Sequence, residues 1–180
     1  MSATSAGIRI EAATPADVPI IHTLIRELAA FERLLDEAKA TEAQLHDGLF
    51  GPRPSAEVVI ARAGDEVAGF ALFFHNYSTF VGKPGLYLED LYVRQHFRGQ
   101  GCGGTLLRYL ARLAVERGCG RFEWSVLDWN QRAIDFYKSL GAQPLAEWTI
   151  FRISGDSLTR LAAPSSSTQA SSTQASSTQS

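Results

Sequence analysis

The chain has 180 residues, of which 45% are hydrophobic and 20% charged, and its formal net charge is −2. That balance belongs to a soluble globular protein and excludes the polybasic footprint of a nucleic-acid binder. No apolar run approaches the ~20 residues that span a bilayer. Ser165–Ser180 repeats Ser-Ser-Thr-Gln-Ala with no apolar side chain larger than Ala. Nothing there offsets the entropy of ordering, so this tail is predicted to be disordered and residues 1–164 to form one folded domain. The N-terminal MSATSAGIRIEAA has neither a charged nor an apolar leader region, which predicts a cytosolic protein. Cys102 and Cys119 have no disulfide or metal-ligand spacing, so no metal is expected.

In chain order, Ile8–Ala12 alternates and predicts a strand. Thr14-Pro15 supplies an N-cap and a first-turn proline, and Ile20, Ile21, Leu24, Ile25 and Leu28 carry a helix to about Phe31. Thr41 starts a second helix through Leu45 and Leu49, stopped at Gly51-Pro52. Glu57–Arg62 and Val67–His75 read as an antiparallel hairpin. Asn76–Gly85, punctuated by Gly82 and Pro84-Gly85, is predicted as a loop, and Leu86–Val93 as a third strand. Leu106, Leu107, Leu110, Leu113 and Ala114 give an amphipathic helix with Gly118 past its end. Arg121–Val126 is another strand, and Asn130 caps a helix through Ile134, Phe136 and Tyr137, closed by Gly141. Gln143–Ser154 reads as a terminal pair of strands. The whole predicts an α/β fold: one sheet with flanking helices.

The strongest chemical signal is Arg98-Gly-Gln-Gly-Cys-Gly-Gly104, between a strand and a helix. Glycines there admit positive φ and close approach of backbone to a ligand, and a helix N-terminus favours phosphate. A Walker loop is ruled out because no Gly-Lys-Ser/Thr closes it, and the dinucleotide fingerprint GxGxxG fails on spacing. What fits is R-x-x-G-x-G, followed by Trp129-Asn130, Ala133-Ile134, Phe136-Tyr137 and Leu140-Gly141-Ala142. With Gly85–Val93 before the loop, this resembles the GCN5-related N-acetyltransferases over nearly the whole folded region. Leu24–Glu32, Phe80-Val-Gly-Lys83 and Tyr87-Leu-Glu-Asp90 are most similar to the diamine and thialysine acetyltransferases of that family.

The resemblance implies a mixed, mostly antiparallel sheet, acetyl-CoA as cosubstrate, a small amine as acceptor and a homodimer. It puts the pyrophosphate on the amides of Gly99, Gln100, Gly101, Cys102, Gly103 and Gly104, with Arg98 adding charge. The pantetheine arm falls along Leu91, Tyr92 and Val93, and near Asn130, Gln131, Arg132 and Ala133, with an N–H near Val93 polarising the thioester carbonyl. Tyr137 is the expected acid for the leaving thiolate, the alternative being a ring that only packs beside Phe136.

Glu89 is the expected base, directly or through water, because an aliphatic ammonium with a pKa near 10 must lose a proton before it attacks. Adjacent carboxylates Glu89 and Asp90 point to opposite sheet faces in a regular strand, so only one faces the amine unless a bulge redirects the other. Phe31 and Glu32 align with acceptor-contacting positions, as an aromatic wall and an anion. Glu123, Trp124 and Ser125 on the following strand are candidates to line the same cleft, although for Trp124 core packing is the better reading. Ser78 and Phe80 stand where polyamine relatives carry an acid and a Trp, which favours an acceptor shorter than spermine. Two further readings stay open: a protein or peptide N-acetyltransferase, and a non-catalytic acyl-CoA-binding module.

Overall fold

The computed structural model describes residues 7–164, so the Ser165–Ser180 tail lies outside the described residues. The chain divides into two compact units, Met1–Asn130 and Gln131–Ser180.

The first unit is built on a five-stranded sheet in the order β1-β2-β3-β4-β5. These strands are Ile8–Ala12, Glu57–Ala63, Glu66–Ser78, Lys83–Val93 and Arg121–Trp124. β1 to β4 pair antiparallel and β5 joins β4 in parallel, which is the mostly antiparallel mixed sheet expected. Helix α1, Val18–Phe31, is entered through Thr14, whose backbone N–H and hydroxyl both donate to the Asp17 carboxylate at 2.8 and 2.7 Å. Its apolar stripe of Ile21, Leu24 and Leu28 packs on Val58, Ile60 and Phe70 together with Leu49 of α2, Glu42–Phe50. Ile21 and Leu24 are fully buried, each worth about 1.5–3 kcal/mol. The alternate residues Val59, Ala71, Phe73, Leu86 and Leu88 are buried on the other sheet face, the one covered by helix α3, Cys102–Glu116.

Helix α1 ends in a left-handed turn. The Leu34 N–H donates to Ala29 O at 2.8 Å, and Arg33 between them has φ 63, the single non-glycine residue at positive φ among those described. Glycine is the usual occupant of that position, and a side chain there costs about 1 kcal/mol. Arg33→Gly is therefore expected to raise stability by about 1 kcal/mol and the unfolding midpoint by about 2–4 °C, measured by thermal scans.

Three expectations need correction. Asn76–Gly85 is mostly strand: Asn76, Tyr77 and Ser78 pair with Gly85, Pro84 and Lys83, leaving a turn of residues 79–82. Gly82, at φ 66, makes the turn, but Gly85 marks a close approach: a Cβ there would lie 2.3 Å from Asn76 Oδ1. A glycine that a neighbour crowds reads in sequence like one that breaks a strand.

The second unit carries α4, Gln131–Ser139, and α5, Gly155–Ala162. The predicted terminal strands over Gln143–Ser154 are absent among the described residues. Alternation makes a strand only where an edge accepts its backbone, and Trp148, Ile150 and Phe151 remain exposed here. The strand at Arg121 also ends at Trp124, two residues before the predicted Val126.

Candidate active site

The parallel pairing of β4 with β5 runs only from Gly85–Arg121 to Leu88–Trp124, whereas β4 continues to Val93. From Glu89 onward, β4 keeps β3 on one side and has no strand on the other among the described residues. The Arg94 N–H donates to Ala68 O at 2.9 Å, and successive residues of an antiparallel strand turn their backbone groups to opposite sides. Asp90 and Tyr92 thus face β3, while Leu91 and Val93 turn theirs toward the open edge. Of the three β4 residues expected to meet the pantetheine arm, Leu91 and Val93 turn their amides to the open edge. Such an edge suits an extended, amide-bearing chain.

At the end of this edge lies the glycine loop. Gly99 and Gly101 have φ of 79° and 82°, with open space where their Cβ atoms would be, so conformation and not room demands glycine. Gly101 is the N-cap of α3 and supplies no capping side chain. Thr105 N–H is bonded to Gly101 O at 2.9 Å, so the amides of Cys102, Gly103 and Gly104 precede the helical ladder at the positive end of its dipole. Gln100 Nε2 donates to His96 O at 2.7 Å and holds the loop to the preceding turn. Arg98 turns inward: its Nε donates to Val93 O at 2.8 Å, and its guanidinium lies 4.4 Å from the Phe31 ring centre and 5.5 Å from that of Tyr92. It ties the loop to the end of β4 and to α1.

The carboxylates meet through a bulge. Phe73 pairs with Leu88 and Leu72 with Asp90, so Glu89 is an extra residue in β4. Because Leu72 and Phe73 face opposite sides of the sheet, Leu88 and Asp90 do too, although they stand two apart. The bulge thus brings Asp90 onto the α1 face with Leu72 and Tyr92, instead of alternating away from Glu89. Burial, with the charges of Glu89 and Glu32, pushes the Asp90 carboxyl up to about 6. Burial also raises Glu32, the residue that ends α1. The charges of Glu89 and Glu32 thus act on Asp90 beside the open edge. Clustered carboxylates of this kind attract a cation and can take a proton near neutral pH.

Residues 22–142 match the acetyltransferase (GNAT) family. The chain belongs to this family. It is 38% identical to the L-ornithine N5-acetyltransferase NATA1 of Arabidopsis thaliana, over 83% of this chain and 86% of that protein. It is 39% identical to the thialysine N-epsilon-acetyltransferase of Bos taurus, over 86% of this chain and 97% of the relative. A solved integron cassette protein from V. cholerae superposes with a TM-score of 0.74 at 29% identity, covering 86% of this chain and 97% of that one. As a GNAT protein, the chain is an acetyl-CoA-dependent amine N-acetyltransferase.

Other residues singled out for this GNAT site fall as follows. Glu123 is engaged by Arg121 Nε at 2.9 Å and by Asn76 Nδ2 at 3.2 Å, so its charge is committed to joining β3 to β5. Trp124 is half-buried, its ring 4.9 Å from Phe122. Ser125 Oγ is 2.8 Å from Tyr87 Oη. Tyr87 pairs with Phe74, on the same sheet face as Leu72 and Asp90, and so links the carboxylate face to the segment after β5. Asn130 N–H donates to Leu127 O at 2.8 Å, just before α4 begins.

In the second unit, α4 carries the remainder. Tyr137 and Ala133 are half-buried, while Gln131 and Arg132 are exposed. Gln131 Nε2 donates to Asp135 Oδ1 at 2.7 Å, and the Tyr137 ring lies 5.7 Å from that of Phe136. No sequence motif assigns a site role to Tyr87, Arg33 or Trp129. The alternation of Leu-Tyr-Leu-Glu-Asp was the one available signal, and it puts Tyr87 on the face of Glu89.

Proposed function

We propose that this enzyme transfers acetyl from acetyl-CoA to the primary amine of a short cationic acceptor. Thialysine, lysine, ornithine or a diamine are the candidates, and direct attack occurs with both substrates bound. The observation that carries this reading is the bulge at Glu89, which sets Glu89, Asp90 and Glu32 around one site beside the open edge of β4. Relatives that acetylate ornithine and thialysine favour the same acceptor class. In this reading the amides of Gly99 to Gly104 hold the pyrophosphate, and the Leu91 and Val93 edge aligns the pantetheine arm. The cosubstrate supplies an activated thioester. Glu89 takes the proton of the attacking ammonium, Asp90 and Glu32 hold the cation, and Tyr137 protonates the departing thiolate.

Direct attack, with no acetyl-cysteine, is favoured by Cys102. Burial pushes its thiol up to about 11, so it is not a thiolate at neutral pH. The deciding experiment follows thiol release from acetyl-CoA against a panel of thialysine, lysine, ornithine, putrescine, spermine and an N-terminal peptide. Turnover should be best with the short amines; acetylation of the peptide alone would replace this reading, and no turnover on any acceptor would sink it.

The loop assignment has its own test. A Cβ at Gly103 would lie 3.8 Å from Val93 Cγ2, an ordinary contact, so small residues fit there. Gly103→Leu is expected to weaken acetyl-CoA binding by about tenfold or more in calorimetry, whereas Gly103→Ala stays close to wild type. We also assign a cytosolic homodimer. Both cysteines are free thiols, and no described helix is long and apolar enough to cross a membrane. The exposed Trp148, Ile150, Phe151 and Leu161 of the second unit supply apolar surface for a second copy.

A further inference from the structure

The open edge of β4 begins a chain of contacts that catalysis has not yet used. From the Val93 carbonyl it runs through Arg98 to the Phe31 ring, whose centre lies 5.9 Å from that of Trp129 at an interplanar angle of 56°. The Arg33 guanidinium lies 5.9 Å from the Trp129 ring centre. Cation, ring, ring and cation thus alternate across three separate segments: the glycine loop, the end of α1 and the loop after β5.

Core packing does not explain this arrangement. Trp129 is 54% exposed and Phe31 39%, so neither gains the full burial that usually retains a large aromatic. Phe31 is the last residue of α1. A half-exposed ring at a helix end keeps rotamer freedom unless neighbours hold it. Here Arg98 holds it from one segment and Trp129 from another. Arg33 adopts a left-handed backbone where glycine is the easier choice, and its guanidinium then reaches Trp129. The segment after Trp124 has left the β4 ladder, and the Tyr87–Ser125 hydroxyl pair and the Phe31–Trp129 ring pair join it to the rest of the unit.

Phe31 adjoins Glu32, whose charge is felt at Asp90. We propose that Trp129 is a positioning residue for the amine acceptor: it fixes the Phe31 ring as the wall beside Glu32, and so sets how closely the site fits the aliphatic part of a short amine. The inference rests on the acetyl-transfer reading above. An arginine already lies over each ring, so the ladder shapes the wall and leaves binding of the ammonium to the carboxylates.

The test uses the full-length protein, acetyl-CoA and the panel amine that wild type acetylates best. Trp129→Ala is expected to raise the KM for that amine about tenfold, the combined worth of one aromatic pair and one exposed cation–π contact. The KM for acetyl-CoA should stay within about twofold, and Trp129→Phe should recover most of the loss. Parallel rises in both KM values would assign Trp129 to general support of the loops and overturn the proposal, as would an unchanged amine KM or a failure of Phe to rescue. A wild-type protein that binds acetyl-CoA yet acetylates no amine would instead overturn the reading beneath it. Calorimetric acetyl-CoA affinity of each variant separates misfolding from these outcomes.

Discussion

Tyr137→Phe is expected to lower kcat by about 100-fold or more, with acetyl-CoA affinity changed by less than about twofold. The change deletes one oxygen from a half-buried ring of α4, and the ring itself stays beside Phe136. What is lost is the proton that a phenol, with a pKa near 10, can hand to a departing thiolate at little cost. Because that transfer belongs to the transition state, the deficit should fall on kcat and leave ground-state binding alone. Glu89→Gln should reduce kcat/KM by about the same factor, and most strongly at low pH, where little free amine exists. Stopped assays of thiol release, with calorimetry for binding, measure both. A fully active Tyr137→Phe would move the acid elsewhere.

The second large effect belongs to Asp90. Its carboxyl is raised from 3.8 to about 6, first by burial and then by Glu89 and Glu32. A raised folded-state pKa means that the folded protein resists the ionisation the unfolded chain accepts freely. Below about pH 4 both states are protonated and Asp90 imposes no penalty. As pH rises through 4 to 6 the unfolded state ionises first, and stability is lost, by about 2–3 kcal/mol once pH exceeds 6. Asp90→Asn should therefore stabilise the protein by roughly that amount at pH 8 and barely at pH 4, in urea titrations at the two pH values. Equal effects at both would show that the charge is not what strains the site. Function pulls the other way. An ammonium beside the ionised carboxylate compensates its burial, so the acceptor KM should fall as pH rises from 5 to 7, and Asp90→Asn should flatten that dependence. Stability is given up at the site proposed to bind the cation.

Much of the fold was legible because it is written in local signals. Thr14 with Asp17, and Thr41 with Gln44, mark helix starts whose partners stand three residues away. The stripe of Ile21, Leu24 and Leu28 buries one face at helical spacing. Asn76–Gly85 misread for the opposite reason: Gly85 is needed because Asn76 and Arg121 crowd it, and both lie far off in sequence. The Gln143–Ser154 alternation predicted strands, and no described edge takes them. Glu123 looked like a cleft anion until its charge was found spent on Arg121 and Asn76.

By itself, the sequence determined the glycine loop, the helices α1 to α4, the hairpin and the kind of chemistry. Each depends on residues a turn or a strand apart, so spacing carries the information. Tertiary structure alone decided where the charges act. The Glu89 bulge exists only in the register of β4 against β3, and β5 opens the edge only by parting from β4 at Leu88. Arg98, Phe31, Trp129 and Arg33 stack only because three loops converge. Pairing register and convergence are non-local properties, so no window of sequence contains them.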